Sequence, residues 1–295
     1  MVGLFFQYLV AGLTYGTIYA VVGIGFNIIY NTTGIINFAQ GEFVMLGGMT
    51  AVALHRAVPM PLAILGAVAV TMAVGAVVEV TFIRWLRKAS VLRMIVITVG
   101  ISILLREAAL ALWGEGVRSL PYFSGDEVTS VSLGGVHLSP QVLWSLGTCA
   151  LVVVLLSLFF RFTMLGREMR ACASNRDAAA LCGLPTRNLV TLSFVLSAGI
   201  GALAGCVVSP ITSTHYAIGG GLALKGFAVA ILGGLGNSMA AVAAGFIVGT
   251  LESFSVWVLP AAYKDAVAVS IFLAILFVRP SGLFGSSEAS RLKDF

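Results

Sequence analysis

Charge is what this chain has least of. Only 10% of its 295 residues are Asp, Glu, Lys or Arg, against about a quarter in ordinary soluble domains. No charged side chain precedes Glu42, and none occurs in 57–78, 128–160, 188–224 or 226–251. These runs exceed the ~20 apolar residues that cross a hydrocarbon core of ~30 Å. With 59% hydrophobic residues and a mean hydropathy of +1.04, the chain reads as a membrane protein and not as a soluble enzyme or nucleic-acid binder.

Other absences narrow the class. The four cysteines, Cys149, Cys172, Cys182 and Cys206, lack metal-ligand spacing and read as small buried hydrophobes; the three histidines are equally scattered. No nucleophile–base set stands out. No G-x-x-x-x-G-K-[ST] occurs, so the chain has no P-loop, and any driving ATPase must be another polypeptide. The first positive charge is Arg56, which argues against a cleavable signal peptide. Segments such as PLAILGAVAVTMAVGAVV are apolar on every side, unlike the alternating strands of a membrane barrel.

What is present is helix. The expected fold is an all-α, polytopic membrane protein forming one transmembrane domain over 1–295. Its spans are expected at 4–30, 35–56, 60–83, 94–113, 140–162, 188–208, 222–236, 238–258 and 265–279. The seventh is short and glycine-rich, so eight or nine crossings fit, some short or broken. Basic residues cluster at Arg84, Arg87, Lys88 and Arg93, at Arg161, Arg167, Arg170, Arg176 and Arg187, and at Arg279, Arg291 and Lys293. By the positive-inside rule these are cytoplasmic. Arg56, Arg118 and Lys264 fall outside, beside Glu115, Asp126, Glu127 and Asp265. Nine crossings place the N-terminus outside and the C-terminus in the cytoplasm, with 114–139 as the long external loop.

The cytoplasmic loop 163–187 reads TMLGREMRACASNRDAAALCGLPTR. Ser174 and Asp177 have the spacing of a capping box, Ala178, Ala179, Ala180 and Leu181 favour helix, and Gly183 and Pro185 stop it. The expectation is a two-turn helix, too short to stand alone. It is either a linker between spans or a knob received by a cytoplasmic partner.

Asp177-Ala178-Ala179, followed by Gly183, resembles the E-A-A-x-x-x-G coupling signature of permeases in bacterial ABC importers. Aspartate replaces the usual glutamate, and Val195 and Leu196 stand where the pattern has Leu-Pro. The whole chain, from about residue 5 to 285, resembles the branched-chain amino-acid permease family through YNTTGIINFAQGEFVMLGG at 30–48, GREMRACASNRDAAALCGL at 166–184 and ILGGLGN at 231–237. The resemblance implies a bacterial inner-membrane location, a sister permease, two cytoplasmic ATPase subunits and a periplasmic solute-binding protein. It implies that Asp177, Ala178, Ala179 and Gly183 contact the ATPase, and that ATP and Mg are held by those partners, with no cofactor on this chain.

The stretch GIINFAQGEF, 34–43, puts Asn37, Gln40 and Glu42 among apolar residues. Polar groups at that depth must face the bundle or a wet cavity. With Gly41, and with Gly234 and Asn237 of ILGGLGN, they are candidates for the translocation path or its gate. The competing readings are helix capping and packing for the first group and a tight turn for the second. Thr32, Thr33 and Gly34 should break the chain ahead of them. Arg106 and Glu252 are candidate buried charges, Arg106 seeking Glu42 or Glu252. Gly12/Gly16, Gly201/Gly205 and Gly245/Gly249 should allow close helix contact. Alternating access driven by separate ATPases is the leading mechanism; an ion-coupled secondary transporter using Glu42, Arg106 or Glu252 is the rival.

Overall fold

The computed structural model of the protein describes residues 2–86, 91–125, 131–133, 136–260, 263–279 and 282–283. Arg87, Lys88, Asp126, Glu127, Arg291 and Lys293, which entered the sidedness argument, lie outside the described residues.

Each of the nine expected segments is helical, and six helices are long and apolar enough to cross a membrane. These are α1 (Val2–Thr33), α3 (Met60–Val78, prolonged by a π turn, Glu79–Ile83), α4 (Val91–Trp113), α5 (Pro140–Phe162), α8 (Thr186–Thr212) and α10 (Ser238–Val258). α2 (Gln40–His55), α9 (Ile218–Gly233) and α11 (Lys264–Val278) are shorter, at 16, 16 and 15 residues. Two helices lie between α5 and α8: α6 (Met164–Ser174) and α7 (Arg176–Leu181). The only described strands, β1 (Val131–Leu133) and β2 (Val136–Leu138), form a small antiparallel hairpin in the loop before α5.

Among the boundaries that differ from expectation, two have a local reason. α2 starts at Gln40 and not at 35. Gly34 ends α1 in the left-handed region (φ +68°), and the Asn37 side chain then accepts the Ala39 N–H at 3.1 Å, holding a turn open ahead of the helix. α9 starts at Ile218, four residues early, and takes the glycine triplet 219–221 into its first turn. Gly219 pays the conformational cost because any side chain there would run into Glu42.

The chain is built in two halves of like plan. α1 is followed by a break and the short α2, then α3 and α4; α8 is followed by a break and the short α9, then α10 and α11. α2 packs on α8 as α9 packs on α1, and α3 on α8 as α10 on α1. α1 and α10 run antiparallel, with Gly12 against Thr250, Gly16 against Gly245 and Asn31 against Gly236, whereas α2 rises alongside α8 in parallel. Together these directions make the halves run in opposite senses, an inverted repeat, joined by α5, α6 and α7.

The expected glycine pairs form the seams. A methyl on Gly16 would stand 2.9 Å from the Gly245 carbonyl, Gly249 lies against Gly16, and Gly205 lies against the Val44 carbonyl of α2. Helix axes this close gain dispersion contacts that lipid cannot supply. α1 and α8 are the central helices, each 72% buried in its most apolar window, against 17% for α4 and 22% for α5. Leu65, Leu92, Leu112 and Leu143 point outward from the peripheral helices.

Candidate functional site

The short helices α2 and α9 begin inside the bundle. Gln40, the first residue of α2, meets Ser197 near the middle of α8: its Nε2 donates to the Ser197 carbonyl at 3.2 Å, and its Oε1 stands 2.5 Å from the Ser197 hydroxyl. The same hydroxyl lies 2.8 Å from the Gly25 carbonyl of α1, so one side chain links α1, α2 and α8. Gly41 lies against Gly219, bringing the α2 and α9 N-termini together. Helix N-termini carry unpaired N–H groups and partial positive charge. Glu42 sits at that junction, 1% exposed. Its Oε1 accepts the Ser102 hydroxyl of α4 at 2.8 Å, while Oε2 lies against Gly219 without a hydrogen-bond partner.

Thus Gln40, Gly41 and Glu42 are brought together, and Asn37 is close in sequence but caps the preceding turn. Its Nδ2 has no partner. Gly234 and Asn237 lie elsewhere, in the turn from α9 to α10, where Gly234 (φ +96°) and Gly236 (φ +98°) take left-handed backbone. Asn237 caps α10 by accepting the Ala240 N–H at 3.1 Å, and Asn27 and Asn31 of α1 pin the turn through Gly236 and the Asn237 carbonyl. The tight-turn reading describes this geometry.

Of the expected partners of Arg106, Glu42 is near enough to feel its charge, and no described ion pair joins Arg106 to Glu252; its Nε also stands 3.7 Å from Oε1 of the adjacent Glu107. Neighbouring helical side chains point about 100° apart, but these two are long enough to meet sideways at a half-exposed surface. Glu252 is instead taken by cations that sequence reasoning passed over. Its Oε1 receives Lys225 Nζ at 2.8 Å, Lys264 Nζ at 3.3 Å and the Tyr19 hydroxyl at 3.1 Å. Lys225 also reaches Asp265 at 2.7 Å, and Lys264 sits 3.6 Å from the Tyr15 ring centroid. The available signal was positional: Lys225 is the lone charge dividing two long charge-free runs. In each half, then, a polar contact ties the short helix to the fourth: Ser102 to Glu42, and Lys225 to Asp265.

At the basic end of the bundle, Thr163 caps α6 by accepting the Gly166 N–H at 3.0 Å. Gly166, Met169 and Cys172 turn inward along one side, and burial raises the Cys172 thiol above its ordinary pKa. The cap of α7 is Asn175, which accepts the Ala178 N–H at 2.9 Å; Ser174 ends α6 instead. The extended backbone at Asn175 breaks the two helices apart, which leaves it placed to cap the second. The stop is as expected: Gly183 is left-handed (φ +83°) and the Leu184 N–H reaches the Ala179 carbonyl at 3.1 Å. Asp177, Ala178 and Gly183 are exposed, but Ala179 is buried at 5%, whereas Leu181 is 90% exposed.

Opposed halves, short helices starting at a polar junction and an exposed capped helix at one end define a membrane transporter subunit. The fold is similar along 100% of both chains to a chain of PsaBC from Streptococcus pneumoniae, solved in complex with Fab, with a TM-score of 0.52 and 13% identity. Residues 8–276 match the family described as branched-chain amino acid transport system / permease component, and the chain belongs to that family. It is 32% identical to the high-affinity branched-chain amino acid transport system permease protein BraD of Pseudomonas aeruginosa, and 29% identical to LivH of Escherichia coli (strain K12), with 98% of each chain covered in both cases. As a permease component of an ABC importer it is a multi-pass inner-membrane protein and leaves ATP hydrolysis to separate subunits.

Proposed function

We propose that the chain moves branched-chain or closely related amino acids inward by alternating access, with a sister permease, two cytoplasmic ATPase subunits and a periplasmic solute-binding protein. The reading is carried by the junction of α2 and α9, where two helix N-termini and Glu42 interrupt the apolar bundle between inverted halves. Discontinuous helices at a repeat interface provide polar groups for a solute without exposing backbone to lipid. Gln40, Gly41 and Glu42 border the path; Gly234 and Asn237 act at one remove, holding the turn on which α9 and α10 move.

All nine apolar helices cross in this reading, α2 and α9 being completed by the non-helical segments before them, and the basic end with the C-terminus is cytoplasmic. The half-exposed Arg106–Glu107 pair supports a sister permease, because charges in a span face protein or water and not lipid. α7 is the coupling helix. Asp177, Ala178 and Gly183 face the ATPase, Leu181 fills an apolar pocket on it, and Ala179 acts from within by packing α7 on the bundle.

Cys182 provides a direct test, being the exposed cysteine among four, the other three buried. In inside-out vesicles a membrane-impermeant maleimide should label Cys182, and assembly with the ATPase subunits should block labelling. In proteoliposomes holding all subunits, labelled leucine uptake should require ATP, and Leu181→Glu should abolish it while leaving the permease folded. Uptake by the lone chain on an ion gradient, or Cys182 labelling from the periplasmic side, would overturn the proposal.

A further inference from the structure

A cavity of about 500 Å³ opens where α1, α5, α6 and the start of α10 meet. It lies at the boundary of the bundle, since Asn31 is two residues from the end of α1, Phe160 is in the last turn of α5 and Ser238 is the first residue of α10. Its walls differ in kind. Val153, Leu156 and Phe160 form an apolar side on α5 that continues into the exposed Val154, Leu155 and Leu158 of the same helix. Arg170, Asn31 and the α10 start form the polar side.

The polar side is positive. Arg170 pairs with no carboxylate among the described residues. Asn237 spends its side chain on the Ala240 N–H, and Ser238 and Met239, which line the cavity, stand in the first turn of a 21-residue helix, its positive end. Asn31 is committed to the Gly236 carbonyl, so it holds the rim in place.

We infer that this cavity is a binding site for an anionic phospholipid, with its phosphate between Arg170 and the α10 N-terminus and its chains along Val153, Leu156 and Phe160. A basic pocket between spans at a membrane face attracts such headgroups, and the continuous apolar face of α5 gives a lipid lateral entry. The occupant would brace α6, which carries Arg170, against α1 and the α9–α10 turn. The inference rests on the membrane placement of these helices and not on the cargo.

The test uses the full chain purified in detergent and titrated with phosphatidylglycerol or phosphatidylcholine, bound lipid being counted by native mass spectrometry. Phosphatidylglycerol should be retained preferentially. Arg170→Gln should weaken it about fivefold, the loss of one basic contact near a membrane surface. Ser157→Phe, which fills the cavity, should abolish retention, and Arg167→Gln on the same helix should leave it unchanged. Thermal midpoints without added lipid report whether each variant folds. Equal retention by wild type and Arg170→Gln, or equal retention of the two lipids, would overturn the inference. So would displacement by millimolar inorganic phosphate, which would make this a plain anion site, or by leucine, which would make it part of the solute path.

Discussion

The Glu42 carboxylate occupies the space that a side chain on Gly219 would need. A methyl built on Gly219 would stand 2.7 Å from Glu42 Cδ and closer still to Oε2. The absence of a side chain on α9 is therefore what admits a charged group from α2. Gly219→Ala should lower stability by about 1–3 kcal/mol, the usual cost of overpacking. In the Glu42→Ala background the same change should cost less, because the nearest opposing atoms are gone and the Gly41 carbonyl, 2.9 Å from the added methyl, remains. Thermal unfolding of the four proteins measures this; additive losses would mean that Gly219 and Glu42 do not share the space.

Lys225, Lys264 and Glu252 predict an unequal series. Removing Glu252 takes the shared acceptor from two partly exposed ammonium groups, of which Lys225 keeps Asp265, so Glu252→Ala should destabilise by about 3 kcal/mol, the low end for a broken buried pair. Lys225→Met should cost less, since Lys264 stays 3.3 Å from Glu252. Lys264→Met should be mildest, because the shorter bond, Lys225 at 2.8 Å, persists. The ranking is read from thermal midpoints in detergent, and a reversed order of the two lysines would sink it.

How far the sequence was legible follows the range of the interaction concerned. The helix positions could be read because apolar runs are a one-dimensional signal. The stop of α7 could be read because Gly183 and Pro185 act within one turn. The cap slipped by one residue, from Ser174 to Asn175, because both side chains suit the role and the break between α6 and α7 decides between them. The start of α9 was hidden because three glycines signal a break locally, while α2 and its Glu42 lie nearly two hundred residues away. Arg106 was read as turning toward Glu42, whose charge it does neighbour, while its approach to Glu107 was hidden because adjacent helical side chains point about 100° apart. Lys225 was visible as an isolated charge, but its partners on α10 and α11 depend on how the second half folds.

The two ends of α7 predict separable effects. Asn175→Ala removes the cap on the Ala178 N–H and should cost about 1 kcal/mol. Gly183→Ala forces a left-handed alanine and should cost about the same. α7 is six residues long, and Ala179 is its one buried residue. Both losses should therefore appear as faster amide exchange over 176–181, with little change in α1 or α8. Faster exchange spread equally through the spans would show that α7 is not a locally stabilised unit.

Gln40 and Ser197 give a pairwise test of the central crossing. The Ser197 hydroxyl has one proton, and both the Gly25 carbonyl and Gln40 Oε1 are within reach of it. Ser197→Ala removes that proton but leaves Gln40 Nε2 its backbone acceptor on α8. Gln40→Leu removes both Gln40 bonds and leaves the Ser197 hydroxyl to Gly25. Because Ser197→Ala strands Gln40 Oε1, an atom that the double mutant no longer has, the double mutant should be more stable than the summed losses predict, by about 1–2 kcal/mol. Gln40→Glu should be worse than Gln40→Leu, since the buried donor becomes a second carboxylate two residues from Glu42. A double-mutant cycle by chemical or thermal unfolding yields the coupling, and a value near zero would mean that α1, α2 and α8 are held at this level by packing alone.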